Sequence, residues 1–285
     1  MNQDVQALRG IAILMVLLQH FRGRLPTSHG LNTIFENFAF WGGVDLFFVI
    51  SGYVIALSLF NSTEVGVSGQ LSTAGFRSFM VRRCKRLIPA SWFWLGAFLV
   101  LLVISPELST TEIKFSTFFG ILSGMFGVAN FYWSYCGTSG FLNTLCTSPD
   151  VAGVYWSLGL EEQFYLLLAA SLMVLPITRV ITVFVAGALV LSFYQIYISE
   201  VQFLSLGWVL RPQGLVIGVL LAILFREKRL EWLRYLPKPL IGGLVSILIL
   251  ALCWIPTHMS LSLSISALAL TSGIIVALES TSKVY

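Results

Sequence analysis

Arg9-Gly10-Ile11-Ala12-Ile13-Leu14-Met15-Val16-Leu17-Leu18-Gln19-His20, then after a polar loop Gly42-Gly43-Val44-Asp45-Leu46-Phe47-Phe48-Val49-Ile50-Ser51-Gly52, is the stretch whose reading decides the fold. Two apolar runs of membrane-spanning character each carry ionisable groups. Such groups are costly in hydrocarbon and mark functional positions. Arg9 and His20 are 11 residues apart. At about 100° per residue that is close to three turns, so both side chains face one way, about 16 Å apart along the axis. An enzyme or a transporter has a use for such a stripe; a purely structural helix gains little from it.

Composition agrees. Of the 285 residues, 57% are hydrophobic and 11% charged, with a net charge of +4 and a mean hydropathy of +0.87. A soluble domain carries about a quarter charged residues. Apolar runs fall at 5–22, 41–60, 87–105, 115–133, 157–175, 180–198, 203–225, 239–256 and 259–279. The expected fold is therefore an all-α, polytopic membrane bundle of about nine to ten hydrophobic segments, forming one domain over 1–285. The N-terminus lacks a basic n-region and a small-residue cleavage site, so the first run is expected to stay as a helix. The modest charge gives no nucleic-acid footprint, and no Cys/His or His-Glu-x-x-His spacing points to a metal.

The basic residues cluster over Arg77 to Arg86 and Arg226 to Lys238. The positive-inside rule puts both loops, and with them the N-terminus, in the cytoplasm, and loop 23–40 outside. Simple alternation from 87 onward contradicts this, so one segment fails to cross. Gly120, Gly124 and Gly127 make 115–133 the candidate for a broken or re-entrant helix. Loop 134–156 is then extracytoplasmic. Its Cys136 and Cys146 either pair in an oxidising compartment or stand as two unrelated thiols. Cys84 and Cys253 read as structural, and Gly66 to Gly75 as a flexible polar linker.

Four constellations carry chemistry. His20 and Asp45 sit near the outer ends of antiparallel neighbours, as a base and its orienting carboxylate would; the plainer reading makes Asp45 a helix cap and His20 interfacial. Arg82, Arg83, Lys85 and Arg86 precede Pro89, read as the first turn of a span, and suit phosphate or a plain positive-inside anchor. Trp156-Ser157-Leu158 leads to Glu161-Glu162-Gln163-Phe164-Tyr165, where helix-terminus electrostatics explain one carboxylate better than two. Gly207-Trp208-Val209-Leu210-Arg211-Pro212-Gln213-Gly214 sets an arginine inside a span, where it requires Glu161 or a bound anion. His29 and His258 read as solvated or interfacial.

Together these motifs resemble the membrane acyltransferase-3 family. Arg9-Gly10-Ile11-Ala12 with His20 and Gly43-Val44-Asp45 look like its start, and Arg82-Arg83-x-x-Arg86-x-x-Pro89 is similar to its basic segment. Trp156-Ser157-Leu158-x-x-Glu161-x-Gln163-Phe164-Tyr165 and the Arg211 to Gly218 span match two later motifs. The resemblance implies an integral-membrane O-acyltransferase of about ten spans. It would move an acyl group, often acetyl, from cytoplasmic acyl-CoA to a hydroxyl of a cell-envelope glycan or similar acceptor. No permanently bound cofactor is implied, and the expected location is a bacterial inner membrane with the N-terminus inside. His20 is the implied catalytic histidine, as general base or transient acyl carrier, with Asp45 and Glu161 beside it. Arg9, Arg83, Arg86, Arg211, Gln163 and Trp156 are expected to bind substrate. Two departures stand out: nine segments lead to the expectation of a missing final span, and Pro212-Gln213 follows Arg211 where an acidic residue is common. The competing class is a non-enzymatic transporter or flippase of a lipid-linked glycan, which also needs intramembrane Arg, Glu and Asp.

Overall fold

The computed structural model describes residues 3–22, 29–60, 70–104, 111–139, 152–198, 201–202 and 205–280. These fold as helices: α1 (Gln3–Phe21), α2 (His29–Asn37), α3 (Gly42–Phe60), α4 (Thr73–Ile104), α5 (Thr111–Met125), α6 (Ala129–Ser139) and α7 (Tyr155–Val174). There follow α8 (Ile177–Phe193) with a π turn (Tyr194–Ile198), α9 (Leu206–Val209), α10 (Gln213–Arg226), a 3-10 turn (Glu231–Tyr235), α11 (Lys238–His258) and α12 (Leu261–Ser280). Among the described residues, 7 helical stretches are long and apolar enough to cross a membrane. The chain is a multi-pass helical membrane protein. Two of the expected segments fall outside that set. Segment 115–133 is cut into α5 and α6, and α7 is diluted by Glu161, Glu162 and Gln163.

The chain forms two compact units. The first comprises Met1–Phe60, Phe184–Glu200 and Pro212–Tyr285. Its hub is α3, which touches α1, α10, α11 and α12. The apolar window of α3 is 78% buried, against 22% for α1 and 17% for α11. The outer helices therefore keep a face for lipid, as Ile13, Leu14, Leu17 and Leu18 of α1 do, while Val5, Leu8, Ala12 and Met15 form the buried stripe. That i, i+3, i+4 spacing is one helical face.

The tightest packing lies between α3 and α10. A Cβ on Gly52 would land on the Leu215 carbonyl oxygen. One on Gly218 would strike the Val49 carbonyl oxygen and lie 2.6 Å from the Tyr53 nitrogen. Gly214 and Gly218 are a Gly-x-x-x-Gly pair, so backbone meets backbone with no side chain between. In lipid, where apolar burial gives no drive for association, such contact supplies the attraction.

The second unit comprises Asn61–Val183 and Val201–Arg211. Its hub is α7, packed on α4, α5, α6 and α9. Four sequence expectations are corrected here and nearby. The cations from Arg77 to Arg86 are helical rather than in a loop, and Pro89 lies inside α4 rather than in a first turn. The reason is an earlier start signal: Ser72 Oγ accepts a hydrogen bond from the Gly75 amide at 3.0 Å, the geometry of an N-cap. Pro89 then removes only one intrahelical bond, on an exposed face.

Of the linker expected over Gly66 to Gly75, residues 66–69 lie outside the described residues, and 70–75 are pinned. The Leu71 amide donates to the Leu172 carbonyl at 2.8 Å, and Gln70 Nε2 to the Val174 carbonyl at 3.0 Å. In the first unit, loop 23–40 contains α2. Segment 115–133 breaks at Gly127, whose φ of +66° favours glycine.

Gly218→Ala should force α3 and α10 apart and cost about 1–3 kcal/mol or more, as overpacking does. Gly243→Ala, with nothing within 4 Å of the new methyl, should be neutral. Thermal midpoints of the two purified variants in one detergent check this, and equal midpoints would refute the crossing.

Candidate functional site

Within the first unit, α1 carries Arg9 and His20 and α3 carries Asp45. The guanidinium of half-buried Arg9 lies 5.9 Å from the centroid of the Phe47 ring on α3. His20 ends α1 and is exposed, with Nδ1 2.8 Å from the Val16 carbonyl oxygen. A carbonyl only accepts, so Nδ1 carries the proton and the neutral ring keeps its lone pair on Nε2. The tautomer is thus held by the backbone of its own helix. Asp45 lies in the first turn of α3 and is 1% exposed. That position favours a negative charge.

Within the second unit, Arg211 is 1% exposed and its guanidinium packs against a pair of mutually touching indoles, 4.9 Å from the Trp156 ring centroid and 4.6 Å from that of Trp208, with the two rings themselves 4.6 Å apart. The faces of these rings attract a cation, which offsets part of the cost of burying the guanidinium. Trp208 escaped the sequence-based site, although its position three residues before Arg211 was the available signal.

Along α7, buried Glu161 accepts from the Tyr165 hydroxyl through Oε2 at 2.8 Å. The half-buried Arg83 guanidinium sits 5.8 Å over that tyrosine ring and 5.6 Å over Phe79. Arg86 is exposed one turn further on. Arg83, Tyr165 and Glu161 are brought into one file; Tyr165 stood in the quoted motif without a role.

Gln163 makes a closed amide pair with Asn130. Asn130 Nδ2 donates to Gln163 Oε1, and Gln163 Nε2 to Asn130 Oδ1, both at 2.9 Å. The same Nε2 also donates to the Gly127 carbonyl at 2.8 Å, which uses both of its hydrogens. This network ties the α5–α6 break to α7. It gives Gln163, expected to bind substrate, internal partners on both sides of its amide. Asn130, three residues beyond the breaking glycine, was not singled out by its spacing.

The profile of the acyltransferase-3 family, described as an acyltransferase domain, matches residues 2–283. The chain belongs to this family. It is 32% identical over 171 residues to the "Peptidoglycan O-acetyltransferase OatA" of Listeria monocytogenes, covering 60% of this chain and 24% of that protein. It is 30% identical over 258 residues to the "Putative peptidoglycan O-acetyltransferase YrhL" of Bacillus subtilis, covering 87% of this chain and 37% of that one. The match thus spans about a quarter to a third of the length of these relatives. No solved structure matches the chain. The family profile runs through both units.

Gln163→Leu should leave the fully buried Asn130 amide and the Gly127 carbonyl without their partner. We expect a loss of about 1–3 kcal/mol, read as a lower thermal midpoint in detergent. An unchanged midpoint would remove the network's structural role.

Proposed function

We propose that this chain is an integral-membrane O-acyltransferase that moves an acetyl group from cytoplasmic acetyl-CoA to a hydroxyl of a cell-envelope glycan, of the peptidoglycan class. The observation that carries the reading is the exposed His20, its Nδ1 on the Val16 carbonyl and Nε2 left as the base. Nε2 takes the proton of the acceptor hydroxyl, whose oxygen attacks the thioester carbonyl. The C–S bond breaks, and the departing CoA thiolate takes the proton from the imidazolium. Asp45 stabilises the imidazolium charge. Glu161 sets the charge opposite the arginines of its unit.

Arg83 and Arg86 hold the phosphates of the donor, and Arg9 admits its thioester arm. Arg211, packed against its indole pair, holds a polar group of the acceptor. If the base instead first takes the acyl group itself, the same residues serve both half-reactions.

The topology supports an outward-facing His20. The basic start of α4 is cytoplasmic by the positive-inside rule. Cys136, at the end of α6, is disulfide-bonded, which favours the oxidising side; Cys146 lies outside the described residues. With the start of α4 inside and the end of α6 outside, α5 and α6 enter and leave by one face. With α7 crossing in spite of its polar residues, followed by α8 and the stretch 206–226, the second basic cluster, Arg226 to Lys238, returns to the cytoplasm. The N-terminus is cytoplasmic, and α1 delivers His20 to the outer side.

Purified protein in nanodiscs, given labelled acetyl-CoA and a panel of glycan oligosaccharides, tests this. His20→Ala should lower label transfer by about 10²–10⁴-fold with the thermal midpoint kept. Arg83→Gln with Arg86→Gln should raise the KM for acetyl-CoA and weaken its salt dependence. Transfer indifferent to His20→Ala would sink the mechanism. Glycan movement across the bilayer without CoA release would favour the transporter.

A further inference from the structure

The span 206–226 is interrupted between Val209 and Gln213, and α10 begins at Gln213 behind Pro212, with no side chain capping its first turn. The first amides of a helix have no intrahelical acceptor and form its positive end. This end is buried: Gln213 is 5% exposed and Leu215 is 0%. The Gln213 carboxamide is held from one side only. Its Nε2 donates to Gln195 Oε1 at 2.7 Å and to Ser192 Oγ at 3.1 Å. Its Oε1 is buried and has no hydrogen-bond partner among the described residues. Gln195, fully buried, belongs to the π turn that ends α8, a distortion that recurs at functional sites.

This end of α10 lies beside the turn that carries Asp45. A Cβ on Gly214 would be 3.1 Å from the Asp45 carbonyl oxygen and 3.0 Å from Phe48 Cβ. All these groups belong to the first unit.

We infer that the start of α10 is a subsite for an alcohol, and that Gln213 Oε1 accepts a hydrogen bond from a hydroxyl of the glycan acceptor other than the one that His20 deprotonates. The chemistry of the two unmet groups selects the ligand. A carboxylate or phosphate would suit the helix amides but would meet the lone pairs of Oε1. An ammonium would suit Oε1 but would oppose the positive helix end. A hydroxyl satisfies both, donating to Oε1 and accepting from a first-turn N–H. Ser192 and Gln195 are positioning residues, because they decide which edge of the amide stays open. Discontinuous helices in membranes present such ends to substrates. The inference rests on the acyltransferase reading, for which it names an acceptor contact.

The test uses the full chain in nanodiscs with acetyl-CoA and a tetrasaccharide of alternating N-acetylglucosamine and N-acetylmuramic acid. Gln213→Leu should raise the tetrasaccharide KM about tenfold, the loss of one hydrogen bond. Gln213→Glu keeps an acceptor oxygen, and Gln195 can turn its amide to meet it, so its KM should stay near wild type. If Gln213→Leu does not fold, Gln195→Ala takes its place, with a raised KM expected. An unchanged KM, or one that rises equally in Gln213→Leu and Gln213→Glu with a falling thermal midpoint, overturns the subsite and leaves a structural amide. Wild-type CoA release that does not depend on His20 sinks the parent reading, and the subsite with it.

Discussion

The contact on which the rest depends is the crossing of α3 and α10, where Gly52 and Gly218 let two backbones touch. Lipid gives helices no hydrophobic reason to associate, so close van der Waals contact over a glycine seam is what holds this pair. Asp45 is carried near one end of that seam and Gln213 at the start of its partner, so the crossing also sets the separation of two buried polar groups. A methyl group at either glycine would therefore disturb chemistry as well as packing.

The buried polar groups of the second unit are handled by reciprocal pairing. Gln163 and Asn130 close an amide ring across the helix break, Tyr165 gives its hydroxyl to Glu161, and Arg211 is covered by two indoles. Each arrangement answers the desolvation cost of a polar group taken from water. The break at Gly127 is tolerable in a membrane for the same reason, since its carbonyl is met by Gln163. Local irregularity and polar side chains thus occur together because each satisfies the other.

Much of the architecture was legible in the sequence. Apolar run length located the helices, and glycine and proline located the interruptions at Gly127 and Pro212, because those residues act through their own backbone. What depends on a partner was not legible. The contact of Trp156 with Arg211, the amide pair of Asn130 and the Ser192–Gln195 hold on Gln213 join residues distant in the chain, and spacing carries no trace of them. Pro89 misled for a related reason. Proline is a good sign of a helix start when nothing earlier provides one, and here Ser72 does. Gln163 shows the same limit: a polar residue in an apolar run announces that it needs a partner without saying which, and Asn130 and the Gly127 carbonyl could not be read from spacing.

The first unit is assembled from three stretches of chain, with 61–183 lying between α3 and its later partners. During synthesis α1 to α3 enter the bilayer long before α10 exists. The glycine seam of α3 must then face lipid on its own, and its high mean hydropathy of 2.0 makes that wait affordable. Completion of the first unit is therefore a late event in biogenesis, set by the arrival of the C-terminal third. The second unit needs only the short return 201–211 to close, so it is nearly whole by the time the ribosome reaches α8.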